Sequence, residues 1–166
     1  MEWWSLIKKD FSILVLLGVA NSAPILARVL MGKRFSTPVD LGLTLWDGRR
    51  LFGDHKTFRG ILASLIFTSI ASQILGLGLL LGARLSLLSM GGDLASSFVK
   101  RRMGLQSGKR ATGIDQVPEA LIPLLVLRQE LGLDYQEIFY LVALFFILEV
   151  FISPLLYAIR IRRAPY

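Results

Sequence analysis

The chain has 166 residues, of which 54% are apolar, and its 19 lysines and arginines against 12 acids give a net charge of +7. This apolar content exceeds what a soluble core of this size needs and predicts a membrane protein. The absence of cysteine and the single histidine exclude thiolate metal sites and a zinc centre built from imidazoles. Basic residues beside apolar segments usually reflect membrane topology, so nucleic acid is not expected as a partner.

Five apolar segments follow one another along the chain, at about residues 11–31, 60–82, 83–99, 117–132 and 136–159. Crossing a hydrocarbon core of roughly 30 Å takes about 20 helical residues, which these segments approach. The second and third are almost contiguous, which predicts a tight antiparallel hairpin. The fourth is the weakest, because charged residues interrupt it. We therefore expect an all-α integral membrane protein with five transmembrane helices, formed by a single membrane-embedded domain over residues 1–166.

The basic residues lie mainly in three connections or tails. Residues 32–59, residues 100–116 and the C-terminal tail together carry fourteen of the 19 lysines and arginines. The positive-inside rule then places the N-terminus outside, both long loops inside and the C-terminus inside. The expected location is the cell membrane, with multiple passes and with every polar cluster on the cytoplasmic side.

One polar cluster lies within the third segment, in MGGDLASSFVKRR. On a helix, Asp93, Ser97 and Lys100 are spaced i, i+4 and i+7 and share one face. An ionised carboxylate inside the apolar region is costly unless a cation reaches it, and either a divalent metal or a neighbouring lysine or arginine could do so. Gly91 and Gly92 would let another helix approach closely.

A second acid opens the fourth segment, in GIDQVPEA. Asp115 precedes Pro118, which is typical of a helix N-cap. A helix N-terminus also favours anions, so a capping role is compatible with phosphate binding nearby. Asp93 and Asp115 both fall on the inner side, where they could share a metal ion.

Polar residues also occur in the first segment and in the first loop. In ANSAP, Ser22 is expected to bond a neighbouring helix, whereas the amide of Asn21 could contact a nucleotide or a phosphate-bearing headgroup. The loop contains PVDLGLTLWDGRRLFGDHKTFRG, whose glycines favour sharp turns and a folded loop. Its GDHKT lacks the GxxxxGKT pattern, which excludes a P-loop NTPase. His55 is interpreted as a local hydrogen-bonding residue rather than a general base.

These blocks together resemble the CDP-archaeol synthase family, which is related to the CDP-diacylglycerol synthases. The resemblance rests on ANSAP, PVDLG, DGRRLFGDHKTFRG, GGDLASSFVKRR and DQVPEALIPLL, and it runs over nearly the whole chain. It implies a membrane cytidylyltransferase that uses Mg²⁺ to join CTP to 2,3-bis-O-(geranylgeranyl)-sn-glycerol 1-phosphate, releasing pyrophosphate. The implied partners are CTP, a prenylated glycerol phosphate lipid and membrane lipids.

The resemblance and the residue chemistry together assign candidate roles. Asp93 and Asp115 are the expected Mg²⁺ ligands, because Mg²⁺ prefers a few carboxylates together with water and phosphate oxygens. Asp93, Lys100 and Lys56 form the expected catalytic set. The expected phosphate-binding cations are Lys56, Arg59, Lys100 and Arg101. The expected substrate-binding or loop-ordering residues are Asn21, Asp47, Asp54, Thr57 and Ser97.

Other functions are weighed against this interpretation. A CDP-diacylglycerol-type synthase acting on phosphatidic acid stays open, and so does a small transporter or assembly subunit without enzymatic activity. A CDP-alcohol phosphatidyltransferase is excluded, because DGRR is not followed by GxxxDxxxD. The sequence leaves open the number of Mg²⁺ ions, the residues that read cytosine and whether the chain forms a homodimer.

Overall fold

A computed structural model of the chain describes residues 2–108 and 111–158. The described part is helical, and its six helices are α1 Glu2–Met31, α2 Phe58–Ile74, α3 Leu79–Arg102, α4 Gln116–Val126, α5 Arg128–Leu131 and α6 Tyr135–Ala158. Within it, β structure is limited to the isolated bridges Pro38↔Thr57 and Thr44↔Arg50. The basic residues expected at 109–110 and 160–163 lie outside the described residues.

The first helix is the clearest membrane-spanning element. Among the described residues, its part Leu6–Met31 is the one helical segment with the length and apolar composition to cross a membrane. Phe58–Ile74 and Gln116–Val126 are shorter apolar helices. The expected all-α class agrees with the structure, whereas five crossings and their orientation stay predictions.

The helices pack around an apolar core that runs through the bundle. α1 contacts α2 and α3, α3 also contacts α4, and α4 contacts α6. Ile13, Leu16 and Leu17 of α1 are fully buried, as are Leu85 of α3 and Leu124 of α4. Burying large aliphatic side chains on α1, α3 and α4 joins these helices into one unit.

The hairpin between α2 and α3 forms, but it turns earlier than expected. The predicted boundary between residues 82 and 83 is wrong, since α2 ends at Ile74 and α3 begins at Leu79. Gly76 and Gly78 adopt φ values of 77° and 86° in the connecting turn, a conformation that glycine tolerates best. The apolar stretch around these glycines looked like a continuation of the second segment. Gly82 instead lies in α3, where an added Cβ would come within 2.8 Å of the Cα of Ser69.

The fourth apolar segment is not one continuous helix. It divides into α4 and α5, with Leu127 between them. The 11 residues of α4 span about 16 Å, about half of the hydrocarbon thickness. The charged residues that interrupt the segment have partners beyond α4: Glu130 pairs with Arg84 at 2.5 Å, and the Arg128 guanidinium lies 4.4 Å from the Tyr135 ring centre.

The first loop is folded around a buried carboxylate, as its glycines predicted. Asp40 is 5% exposed. Its oxygens accept hydrogen bonds from the backbone N–H groups of Gly42, Phe52 and Gly53 at 3.1, 3.0 and 2.8 Å, and from Arg50. Burial opposes ionisation, but the Arg50 guanidinium and the three amides prevail and hold the pKa of Asp40 well below its usual range. The loop is thereby fixed above the ends of α1 and α3.

Candidate active site

A polar cavity of about 230 Å³ lies between α1, α3, α4 and α6, beneath the first loop. Its polar lining consists of Asn21, Arg28, His55, Lys56, Asp93, Ser97, Lys100, Arg101, Ser107, Asp115, Gln116, Glu119 and Glu149. Residues far apart in the sequence therefore meet in one space. The cavity contains both carboxylates and both lysines that the sequence marked as metal ligands and catalytic residues.

Lys56 and Asp93 form the first ion pair of the cavity. The Lys56 Nζ lies 2.5 and 2.6 Å from the two carboxylate oxygens of Asp93. Burial disfavours the charged lysine, but the attraction and hydrogen bonds of Asp93 prevail and raise the pKa of Lys56. Lys56 is therefore a permanent cation at neutral pH. Asp93 has the cationic partner that its position in an apolar helix requires.

Lys100 and Asp115 form the second pair. The Lys100 Nζ lies 2.5 Å from a carboxylate oxygen of Asp115, and the two side chains are only 8% and 15% exposed. Asp115 occupies the N-cap position of α4, but its side chain makes no capping hydrogen bond. It accepts instead from the backbone N–H of Ala111 at 3.0 Å. The position matches the N-cap interpretation, whereas the carboxylate faces the cavity.

Asp93, Ser97 and Lys100 all line the cavity, as their shared helix face predicted. Asp93 pairs with Lys56, and Lys100 pairs with Asp115. The shared helix face therefore brings these side chains into the cavity and does not pair them with each other. Gly92 lets α4 approach, because an added Cβ would collide with the backbone of Pro118. Gly91 has nothing within 4 Å of an added Cβ. Both glycines predicted close helix packing, and Gly92 is the one that provides it, between α3 and α4.

The hydrogen bonds of Asn21 and Ser22 in α1 differ from those expected from the sequence. Asn21 donates to the backbone oxygen of Leu17 at 2.9 Å and to the Ser89 Oγ of α3 at 3.2 Å. Ser22 donates within its own helix, to the backbone oxygen of Val19 at 3.4 Å. Asn21 is thus the residue that joins neighbouring helices. It also lines the cavity, where its predicted nucleotide contact stays a prediction.

Arg101 supplies a buried cation at the cavity wall. It is 6% exposed and donates from Nη2 to the backbone oxygen of Gln106 at 2.9 Å. Its Nε is buried and has no hydrogen-bond partner among the described residues. A guanidinium with a donor left over suits an anionic ligand. Its contact with phosphate stays a prediction.

Three predicted substrate-binding residues lie outside the lining of the cavity and order the loop instead. Asp47 pairs with Arg102 at 2.9 Å, Asp54 pairs with Arg50, and the Thr57 Oγ1 accepts from the Gly60 N–H at 3.2 Å to cap α2. Loop order was the alternative role that the sequence left open for them. Their nucleotide contacts stay predictions.

Arg59 was expected to bind phosphate, but the structure directs it elsewhere. Its guanidinium donates to the backbone oxygens of Gly32 and Arg34 at 3.0 and 2.5 Å. The side chain therefore fixes the turn that follows α1. Because α2 begins at Phe58, its first turn carries Arg59 away from the cavity while Lys56 stays in the loop.

His55, by contrast, lies in the cavity wall beside the second loop. It packs so closely against Gly108 that an added Cβ there would collide with the imidazole. Burial, together with the positive charge of Arg28, lowers the pKa of His55. The imidazole is therefore neutral at neutral pH. The structure gives it more contact with the site than the sequence suggested.

Several polar lining residues were not selected from the sequence, among them Arg28, Ser107, Gln116, Glu119 and Glu149. Glu119 is 6% exposed and follows Asp115 by one helical turn, so both acids face the cavity. Glu149 is an acid within the most apolar segment, and an ionisable residue there is a signal of function. Glu119 is one of the charged residues that interrupt the fourth apolar segment, and Glu149 had no predicted role.

The cavity brings acidic and basic side chains together in equal number. Four acids and four bases line it: Asp93, Asp115, Glu119 and Glu149, and Arg28, Lys56, Lys100 and Arg101. The cations suit phosphate oxygens, and the carboxylates suit a hard divalent cation. Among residues 2–108 and 111–158, no three acidic or histidine side chains are close enough to hold a metal by themselves. A metal bound by one or two of these carboxylates would need ligands from a substrate.

Known proteins resemble this chain over most of its length. Residues 5–166 match the family model described as CarS-like, CDP-archaeol synthase. The CDP-archaeol synthase of Sulfurisphaera tokodaii is 35% identical over 136 residues, covering 78% of this chain and 82% of the relative. That of Sulfolobus acidocaldarius is 36% identical, covering 78% of this chain and 83% of the relative.

A solved structure supports the same relationship. It is described as an intramembrane enzyme for archaeal membrane lipid biosynthesis, and it superposes with a TM-score of 0.72 at 31% identity. The match covers 84% of this chain and 89% of the solved one. Sequence and fold thus agree over most of the chain. The chain belongs to the CDP-archaeol synthase family.

Proposed function

We propose that this protein transfers CMP from CTP to 2,3-bis-O-(geranylgeranyl)-sn-glycerol 1-phosphate and releases pyrophosphate. Family membership and the intramembrane neighbour support this reaction. The observation that carries it is the cavity with two lysine–aspartate pairs, Lys56–Asp93 and Lys100–Asp115. It supplies cations for phosphates and carboxylates for a metal in one enclosed space.

In this reaction, a lipid phosphate oxygen attacks the α-phosphorus of CTP. The bond from the α-phosphorus to the bridging oxygen breaks, and pyrophosphate leaves with the electron pair. An ionised phosphate needs no general base, so the reaction does not require His55 to accept a proton. The work of the protein is to hold two anions in line and to stabilise the charge that develops.

The two ion pairs exchange partners when substrate enters. The ammonium groups of Lys56 and Lys100 leave their carboxylates and donate to phosphate oxygens, and Arg101 adds its unpartnered Nε. The exchange leaves Asp93 and Asp115 ready for a cation. Separating either pair without replacing both partners would leave a charge unpaired in a largely buried site, which is costly.

The donor set fits Mg²⁺, with Asp93 and Asp115 as its protein ligands. Both carboxylates line the cavity, and Mg²⁺ commonly takes one or two carboxylates with substrate phosphates and water. When bound, Mg²⁺ would stabilise negative charge on the transferring phosphoryl group and on pyrophosphate. The lack of a closer acidic cluster among the described residues fits a metal that arrives with the nucleotide.

The lipid chains have an apolar groove beside the site. The groove measures about 510 Å³ and runs between α4 and α6, from Gly113 past Val117, Leu121 and Leu125 to Tyr135 and Phe139. Gly113 lies next to the site, since its N–H donates to Gln116 Oε1 at 2.8 Å. We place a prenyl chain along this groove, so that its phosphate reaches the cavity from the membrane.

The site faces the cytoplasm in this proposal, and the chain crosses the membrane five times with its N-terminus outside. The concentration of basic residues in the two long loops supports this orientation. CTP, a soluble nucleotide, then enters from the cytoplasm. The lipid acceptor enters from the membrane.

The proposal is tested with the full chain purified in detergent, given labelled CTP and Mg²⁺. The acceptor is either the prenylated ether-lipid phosphate or phosphatidic acid. We expect pyrophosphate release that depends on the ether lipid, and its loss in Asp93→Asn. Glu130→Gln is the matched control, because Glu130 pairs with Arg84 on an exposed surface outside the cavity lining. No lipid-dependent release with either acceptor would disprove the transferase function.

A further inference from the structure

The first loop exposes large apolar side chains that its own fold leaves uncovered. Trp46 is 87% exposed, and Phe35 and Leu41 are each 74% exposed. Phe35 and Leu41 also have φ values of 52° and 47°, which is uncommon for bulky residues. Unfavourable backbone conformation and exposed apolar surface thus coincide in one loop, and such coincidences are typical of functional surfaces.

Trp46 occupies the tip of a small hairpin. Thr44 and Arg50 form the bridge, and the Gly48 N–H donates to the backbone oxygen of Leu45 at 3.0 Å. Trp46 is therefore a central residue of the turn. The following residue, Asp47, pairs with Arg102 at 2.9 Å, so the tip is fixed beside the last turn of α3.

The end of α3 has the features of a membrane–water boundary. Val99 and Met103 are 45% and 58% exposed, and the Arg102 guanidinium lies 5.3 Å from the centre of the Phe98 ring. Exposed apolar residues that give way to basic ones are typical of a helix leaving the hydrocarbon core. The pair between Asp47 and Arg102 therefore holds Trp46 at the level of the headgroups, where tryptophan is enriched.

Positive charge near the loop also favours contact with lipid headgroups. Lys33 and Arg34 are both exposed immediately before Phe35. Basic residues next to exposed aromatic and aliphatic side chains suit anionic phosphate groups above an apolar layer. The exposed side chains of α3 continue this surface toward the membrane.

We propose that the apolar residues of the first loop, Phe35, Leu41, Leu43 and Trp46, dock on the headgroup layer of the membrane, with Trp46 as the anchor. The occupant is the lipid surface itself, and not a second protein. The docked loop carries Lys56 at its far end, so contact with the membrane holds a catalytic lysine over the cavity. This inference concerns the loop surface and does not depend on the identity of the acceptor lipid.

The test uses the full chain with Trp3→Phe and Trp4→Phe, which leaves Trp46 as the single tryptophan of the three. The protein is reconstituted at low density into anionic phospholipid vesicles, with or without bromine atoms on the acyl chains. A variant that also has Trp46→Phe gives the blank. We expect blue-shifted emission, at least twofold quenching by the brominated lipid and weak quenching by iodide.

Two results would overturn the proposal. Strong iodide quenching without an effect of bromine would place Trp46 in water. Blue-shifted emission that neither quencher reduces would place it against protein, such as a second copy of the chain. Both readouts are independent of CMP transfer, so failure of the docking proposal and failure of the proposed function can be told apart.

Discussion

The Lys56 Nζ lies within hydrogen-bonding distance of both carboxylate oxygens of Asp93, at 2.5 and 2.6 Å, and so joins the first loop to α3. Lys100 and Asp115 join α3 to the start of α4 in the same way, at 2.5 Å. In the proposed reaction both pairs separate when substrate binds. We therefore expect the site to bind metal and nucleotide together more tightly than either alone.

Replacing Asp93 by asparagine should have opposite effects on binding and on turnover. The substitution frees Lys56 to donate to phosphate, so CTP binding in the presence of EDTA should tighten about three- to tenfold, the net worth of about one ordinary hydrogen bond. Transfer should fall by a factor of at least about 10², as expected when an electrostatic group of the transition state is removed. Equilibrium dialysis with labelled CTP and a pyrophosphate assay measure the two effects.

Glu130→Gln provides the control for this experiment, because it removes an acid from an ion pair outside the cavity lining. It should leave both quantities within about twofold of the unmodified chain, as surface pairs contribute little. Weaker metal-free CTP binding in Asp93→Asn would contradict the exchange of partners, since Lys56 would then depend on Asp93 for its position.

Replacing Lys100 by methionine should strengthen metal binding in the absence of nucleotide. Asp115 loses its cation, and a divalent ion is then the available compensation for a side chain that is 15% exposed. We expect Mn²⁺, used as a paramagnetic probe of the Mg²⁺ site, to bind several-fold more tightly to Lys100→Met. CTP binding with Mn²⁺ present should weaken, because a phosphate contact is lost.

Lys9→Met is the matched control, since Lys9 pairs with Glu137 at 3.0 Å and neither residue lines the cavity. Its affinity for Mn²⁺ should equal that of the unmodified chain. Unchanged Mn²⁺ binding in Lys100→Met would remove Asp115 from the proposed metal site while leaving the role of Asp93 open to its own test.

Local pattern predicted the helical class and one helix face that lines the cavity. Asp93, Ser97 and Lys100 share a helix face by spacing alone, so their common location followed from the sequence. Long-range pairing did not follow, because many arrangements of helices would satisfy the same spacing. Lys56 therefore appeared as a phosphate-binding residue without its Asp93 partner, and Arg59 appeared beside it although α2 turns it toward the end of α1.

Hydropathy predicted two features poorly: turns within apolar segments, and acidic residues within them. The residues around Gly78 are apolar, so hydropathy extended the second segment through a turn that depends on positive φ at glycine. Hydropathy also gave no sign of a role for Glu149, because it is one acid among many apolar neighbours. Its contribution to the cavity depends on the packing of α4 against α6, which hydropathy does not encode.

The two adjacent glycines of α3 give a paired test of helix packing. Gly92→Ala should disrupt the site, because the new Cβ would lie 2.8 Å from the Cα of Glu119 and would collide with the backbone of Pro118. Overpacking of this kind typically costs about 1–3 kcal/mol. Gly91→Ala should be harmless or slightly stabilising, because nothing lies within 4 Å of its added Cβ and alanine favours a helix.

Thermal unfolding in detergent and CTP binding measure the glycine pair. We expect a lower midpoint and weaker CTP binding for Gly92→Ala, and values at or above those of the unmodified chain for Gly91→Ala. Equal behaviour of the two variants would mean that α3 and α4 do not approach closely at Gly92. The cavity between them would then need a different arrangement.

The order of the first loop should depend on the ionised form of Asp40. A carboxyl whose folded pKa is depressed stabilises the fold above its unfolded pKa of about 3.9 and loses that effect as the pH falls through the folded value. The pKa of Asp40 is held well below its usual range. Amide protection of Phe52 and Gly53, corrected for intrinsic exchange, should therefore stay constant from about pH 8 to pH 5.

Asp40→Asn should remove this protection at every pH. The substitution takes the charge from a buried carboxylate that is bonded to Arg50 and to three backbone amides. Breaking such a pair costs about 3 kcal/mol or more, so exchange at Phe52 and Gly53 should accelerate by a factor of about 10². Hydrogen exchange followed by mass spectrometry of the full chain in detergent measures the effect.

Asp54→Asn is the control for Asp40→Asn, because Asp54 pairs with the same Arg50 but is 65% exposed. An exposed pair contributes at most about 1 kcal/mol, so exchange should change less than about fivefold. Equal exchange rates in the two variants would show that the buried carboxylate does not organise the loop.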